Sequence, residues 1–140
     1  MSIETNRALI AGWLRDAEKR DFVEMIIDAA APHIVVHSPF GMEGGEQLVR
    51  EIHAQLRRAF PDLVLTLDGE VYGEDRAVLQ FVLDGTNTGP ILGLQPTNRK
   101  IEMPIAVAFR IEGDRIVELW FYANVLAPVI QQRLGDMGLL

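Results

Sequence analysis

The sequence contains no cysteine. That excludes disulfides, thiolate zinc sites and cysteine nucleophiles. Positive charge is scarce too: 13 Lys and Arg face 20 Asp and Glu, a formal charge of −7. Nucleic acid asks for clustered Lys and Arg that displace counterions, and an anionic membrane surface asks for much the same. No basic run exceeds two residues, and one of these, Arg57-Arg58, reads as a solvated helix face. No nucleic-acid partner and no membrane partner are therefore expected. No apolar run approaches the roughly 20 residues of a membrane span. The opening "MSIETNRALI" lacks a basic segment followed by an apolar one. No secretory signal is expected, and a cytoplasmic protein is the default. Gly85, Gly89 and Gly93 recur along one segment, but no Gly-Lys-Ser/Thr follows and the next segment reads as a strand. They are turn residues, not a phosphate cradle. There is no serine nucleophile elbow.

What is present is a globular composition, 49% apolar and 24% charged over 140 residues. That length predicts a single domain, 1–140, able to bury roughly two-thirds of its unfolded surface without staples. Leu9, Ile10, Trp13, Leu14 and Ala17 mark one stripe of a helix over Thr5–Arg20. A short helix over Asp21–Ala30 follows, with Phe22, Ile26 and Ala29 or Ala30 inward, and Pro32 is expected to stop it. His33–Ser38 reads as a strand and "SPFGMEGG" as a loop. Glu46–Phe60 is the clearest helix, with Val49, Ile52, His53, Leu56 and Phe60 on one face. Four strands come next: Leu63–Tyr72, Arg76–Asn87, Ile101–Ile111 and Arg115–Asn124. A last helix over Val125–Leu134 is expected to stop at Gly135.

Helices gathered before a run of antiparallel strands predict an α+β fold. A strongly curved, mixed or antiparallel sheet wrapped round the long helix would make a cone with a deep cavity. "AVLQFVL" (Ala77–Leu83) and "PIAVAF" (Pro104–Phe109) are apolar at both parities. A sheet with one wet face alternates, so both faces are expected to be covered. Helices cover one; a homodimer through the outer sheet face would cover the other.

Three pieces in order carry a resemblance: "AFPDL" (Ala59–Leu63), "GTNTGPILGLQPTNRKIEM" (Gly85–Met103), and "GDRIVELW" (Gly113–Trp120) with "QQRLG" behind it. In these the chain resembles the SnoaL-like polyketide cyclases of the NTF2-like superfamily over nearly its whole length. The resemblance implies an NTF2-like cone and a cofactor-free enzyme that closes a ring on a polyketide by intramolecular aldol chemistry. In such enzymes an Asp near the end of the last strand takes a proton alpha to a carbonyl, and a His in a Gly-Thr-His motif holds the enolate. Those positions are Asn124 and Asn87 here. An amide cannot act as a general base near neutral pH.

Facing the interior, the two amides would orient and polarise substrate oxygens. Alternatively they satisfy backbone groups at strand ends, as Asn often does. Strand parity groups Phe81 with Asn87, and Trp120 and Tyr122 with Asn124. His37, at a strand end, is the leading replacement base, since imidazole titrates at about 6.5. His37, Asn87 and Asn124 are thus the catalytic candidates. Trp13, His53, Phe81, Glu102, Trp120 and Tyr122 are the candidates for substrate contact. Glu102 and Asp84 are displaced carboxylates or solvated strand-end charges, and Arg99 clamps a ligand or ties down its loop. His33 is expected at the surface. It lies about 13 Å from His37 along a strand, too far to share a metal. The expected ligand is a small hydrophobic or polycyclic molecule. Cyclisation, isomerisation, hydration and hydroxylation are the open reactions. The alternative is a non-catalytic ligand-binding or dimerisation protein.

Overall fold

The computed structural model describes residues 2–17 and 21–139. Helix α1 spans Ile3–Ala17, so the expected end of that helix lies outside the described residues. Its Ile10 is buried, and Leu9, Trp13, Leu14 and Ala17 pack partly buried against the core. Asn6 is buried on the same helix and ties it to the far side of the chain. Its Nδ2 donates to the carbonyls of Gly73 and Glu74, at 3.0 and 2.6 Å. Helix α2, Phe22–Ala29, starts at Asp21, whose carboxylate accepts from the Glu24 backbone N–H at 2.8 Å. A cap of this kind is worth about 1 kcal/mol.

Helix α2 ends before Pro32 as expected, but strand β1 runs Ala30–His37 and takes Pro32 inside it. The reason is a register shift between Ala30 and Val35 on the neighbouring strand, a bulge in which Pro's missing N–H costs no ladder bond. The Gly-rich loop also holds a short strand, β2 (Glu43–Gly44), that folds back antiparallel on β1. Helix α3 (Glu46–Ala59) follows as expected, with Val49 and Leu56 buried and Ile52 and His53 half-buried.

Strands β3 (Val64–Tyr72), β4 (Arg76–Thr86), β5 (Lys100–Glu112) and β6 (Arg115–Ala123) form an antiparallel run. The whole sheet has the order β2-β1-β6-β5-β4-β3, with β1 parallel to β6. Helix α4 spans Ala127–Asp136, so Gly135 lies within it and does not stop it. Gly135 instead lets the Arg99 guanidinium approach the helix, where Arg99 Nη1 donates to the Gln131 carbonyl at 3.2 Å. The stop is Gly138, at φ 75°, with its N–H on the Gly135 carbonyl and the Leu139 N–H on the Leu134 carbonyl.

The fold is therefore α+β, with a mixed six-stranded sheet and four helices among the described residues. Alternation sorts the strands. Leu79, Phe81, Leu83, Met103, Ile105, Val107 and Leu119 are buried toward the helices. Val78, Ala108 and Trp120 stand in one row on the opposite face, with His37 at one end and Val71 at the other. Val64, Val71 and Tyr122 are exposed on that outer face.

Candidate functional site

Between the helices and the sheet lies a cavity of about 60 Å³. Helix α2 gives it Phe22, Val23 and Ile26, helix α3 gives Ile52, His53 and Leu56, and the sheet gives Phe81, Leu119 and Phe121. Phe22 meets Phe81 edge-on, with ring centres 4.4 Å apart. Among the described residues, all the lining side chains are apolar except His53. The cavity abuts two wider openings. One, of about 220 Å³, shares Ile52, Leu56 and Phe121 with it and opens between the loops at Phe40 and Leu92. The other, of about 390 Å³, shares Phe22, Phe81 and His53 and opens toward α1, past Asp21 and Arg57.

His53 stands where the inner cavity meets the second opening. Arg57, one turn further along α3, donates from Nε to His53 Nε2 over a long 3.4 Å. An acceptor Nε2 carries a lone pair and no proton. The pair thus presents a basic nitrogen and a guanidinium side by side above an apolar floor. The sequence placed Arg57 only on a solvated helix face; its four-residue spacing from His53 was the available signal of more.

Asn87 does not reach this cavity. It is 1% exposed, and its whole amide is committed to the backbone around it. Nδ2 donates to the carbonyls of Ala59 and Gly89, at 3.3 and 2.9 Å. Oδ1 accepts from the Thr97 N–H and hydroxyl, at 2.9 and 3.0 Å. Its neighbours do similar work. Asp62 accepts from the Thr86 N–H and hydroxyl at 2.7 and 2.8 Å, and those bonds hold its carboxyl below the usual range. A side chain on Gly89 would collide with the Arg58 carbonyl. The motif residues Ala59–Asp62, Gly85–Gly89 and Thr97–Arg99 thus bind the end of α3, the end of β4 and the following loop into one knot.

Asn124 lies elsewhere again. It is exposed on the outer face, and its Oδ1 accepts from the Leu126 N–H at 3.3 Å, turning the chain into α4. The two amides do not converge, and both satisfy backbone groups. Trp120 and Tyr122 keep the expected parity with Asn124, but that parity is outward; Leu119 and Phe121 face the cavity. His37 is on the outer face too, stacked on Trp120 with ring centres 5.2 Å apart. Its Nε2 lies 2.6 Å from Glu118 and its Nδ1 3.3 Å from Glu43. Glu118 in turn accepts from Arg110 Nε at 3.1 Å. The His37 hydrogen bond, then that of Arg110, hold the Glu118 carboxyl below the usual glutamate range. Glu102 is exposed opposite Asp84 on neighbouring strands. Trp13 packs against the core without lining the inner cavity or either opening beside it. Of the sequence candidates, the structure brings only His53 and Phe81 together on the inner cavity wall.

No curated protein matches the chain. The model of the SnoaL-like polyketide cyclases matches residues 6–132. The chain belongs to this family. Solved structures agree in fold. AclR from Streptomyces galilaeus, provisionally described as a hydroxylase, is 29% identical over 96% of this chain and 83% of its own, with a TM-score of 0.71. IdmH from Streptomyces antibioticus, provisionally described as a polyketide cyclase, is 25% identical over 91% of this chain and 97% of its own, also at 0.71. A SnoaL-like protein from Jannaschia, 20% identical over 80% of this chain and 78% of its own, aligns at 0.68 and shows the NTF2-like fold alone. Among the described residues of this SnoaL-like chain, no helix is long and apolar enough to cross a membrane.

Proposed function

We propose that this SnoaL-like protein is a cofactor-free cytoplasmic enzyme that deprotonates a hydrophobic, polycyclic carbonyl compound, with His53 as the base. The observation that carries this is His53 itself, the one titratable side chain among the described residues of an otherwise apolar cavity wall. A base in such a place needs no carboxylate at the end of β6. His53 Nε2 takes the proton alpha to a substrate carbonyl, and the bonding pair moves onto the carbonyl oxygen. The long Arg57 contact gives way, and the guanidinium pairs with the enolate oxygen. The enolate carbon then attacks a second carbonyl of the same molecule, and the imidazolium returns its proton to the new alkoxide. Enolate formation is equally the first step of an isomerisation or an oxygen addition. That common step accommodates relatives described as cyclase and as hydroxylase. Asn87, Asn124 and His37, the strand-end candidates, are left supporting the fold and the outer face.

Deuterium uptake from heavy water into a bound polycyclic ketone, followed by mass spectrometry, tests the role. His53→Ala and His53→Gln should slow exchange by about 10²- to 10⁴-fold, the usual worth of a general base, while ligand still raises the melting temperature. Exchange at the wild-type rate in both variants would remove His53 from the chemistry. The second reading is a carrier, favoured by the apolar wall and by the commitment of both amides to the backbone. Ligand binding with no exchange in the wild type selects it.

The outer sheet face is proposed as the surface of a homodimer. Val64, Val71 and Tyr122 are large apolar side chains left exposed there. Sedimentation at micromolar concentration should give a dimer, and a monomer refutes the pairing.

A further inference from the structure

The opening toward Phe40 and Leu92 is edged by apolar side chains. Phe40 is 52% exposed, Met42 56% and Leu92 54%. They come from two different loops and line the same cavity of about 220 Å³. Hydrogen bonds hold both loops. Ser38 fixes the first: its hydroxyl accepts from the N–H groups of Phe40 and Met42, both at 3.2 Å, and its own N–H bonds the Met42 carbonyl at 2.8 Å. The second is a four-residue turn, Ile91 to Leu94, closed by paired backbone bonds of 3.2 and 2.8 Å. Ile91 is buried and anchors it.

The tip of that turn has the wrong residue for its backbone. Leu92 has φ 50° and Gly93 φ 75°. Positive φ at both central residues belongs to the mirror-image turn that favours Asn-Gly. Leucine carries a steric penalty in the left-handed region that Asn tolerates better. An exposed, strained leucine offers the isolated protein nothing. It does offer a hydrophobic contact to whatever enters between it and Phe40. Strain of this sort gathers at ligand clamps.

We infer that Leu92 is one lip of the substrate entrance, gripping a planar apolar ring system against the other lip of Phe40 and Met42. It determines specificity by adding contact area once a ligand is seated, and it slows release. The occupant is a small molecule because the opening runs on into the inner cavity through Ile52, Leu56 and Phe121. Glu51 and Gln55 on one wall add acceptors for hydroxyl groups at the ring edge. The lip serves the cavity proposed above as the substrate site, and it stands only if that cavity takes ligand.

The experiment uses the full chain, dihydroxyanthraquinone as probe, and two variants. Leu92→Ala keeps the strained backbone and removes the contact. Leu92→Asn removes the contact and suits the turn. Both should release the probe about fivefold to tenfold faster in stopped-flow fluorescence, the worth of half a leucine side chain's burial. Only Leu92→Asn should raise the melting temperature. Probe release unchanged in both variants overturns the lip and leaves the cavity reading intact. A wild-type chain that does not bind the probe overturns both together.

Discussion

Replacing Asn87 with Ala separates a structural amide from a catalytic one. The side chain makes four hydrogen bonds, three of them between 2.9 and 3.0 Å and one of 3.3 Å. A typical net hydrogen bond contributes about 1 kcal/mol, and each buried group left without a partner costs about 1–3 kcal/mol. Alanine would orphan the Gly89 carbonyl and the Thr97 N–H where water has little access. The Ala59 carbonyl loses only a long, weak bond. A loss of about 3 kcal/mol follows, a large share of a small domain's stability. For a chain of this length that is a fall of about 10 °C in melting temperature. Urea unfolding followed by circular dichroism measures it, and exchange into a bound ketone measures activity in the folded fraction. The expected variant is unstable but retains activity per folded molecule. A variant within about 1 kcal/mol of wild type that has lost exchange would refute the structural assignment.

Two further outcomes follow from named contacts. Gly89→Ala drives a methyl group into the Arg58 carbonyl oxygen, and backbone at the end of α3 cannot swing aside. Its melting temperature should fall further than that of Asn87→Ala; an equal or smaller drop would mean that the loop moves freely. Glu118 is held ionised by His37 and then Arg110, so its contribution is present above the usual glutamate pKa and is lost as pH falls through the lower folded value. Glu118→Gln should therefore flatten the loss of urea stability between about pH 5 and pH 3. Parallel slopes for variant and wild type would show that the acid limb belongs to other carboxylates.

Much of the architecture was legible because stripes and breaks were clear. The run from Val49 to Phe60 defines α3, and Gly73-Glu74-Asp75 separates β3 from β4 at the expected place. Family resemblance was legible for the same reason, since the motif around Gly85 and Asn87 is what joins those elements. The inward face of β6 was not. Leu119 and Phe121 alternate with Trp120 and Tyr122, and both parities are large and apolar, so hydrophobicity cannot choose between them. The choice comes from which side the helices occupy, a tertiary fact. Likewise the sequence shows an amide at Asn87 but not that the Ala59, Gly89 and Thr97 backbone uses it up. That a strand would take in Pro32 was not legible either, because a bulge, invisible in one strand alone, removes the need for its N–H.

The knot around Asn87 also bears on how the chain comes apart. Its bonds to Gly89 and Thr97 are local, but the Asn87 bond to the Ala59 carbonyl reaches the end of a helix 28 residues away and cannot form until α3 and β4 are in place. Contacts that close large loops carry their entropic cost before any reward. A transition state built from the β3–β4 and β5–β6 hairpins would not yet contain that tie to α3. Interactions absent from the transition state govern the unfolding rate and leave the folding rate nearly untouched. The motif that marks this family would then act as a latch on the finished molecule, setting how long it persists more than how quickly it is made.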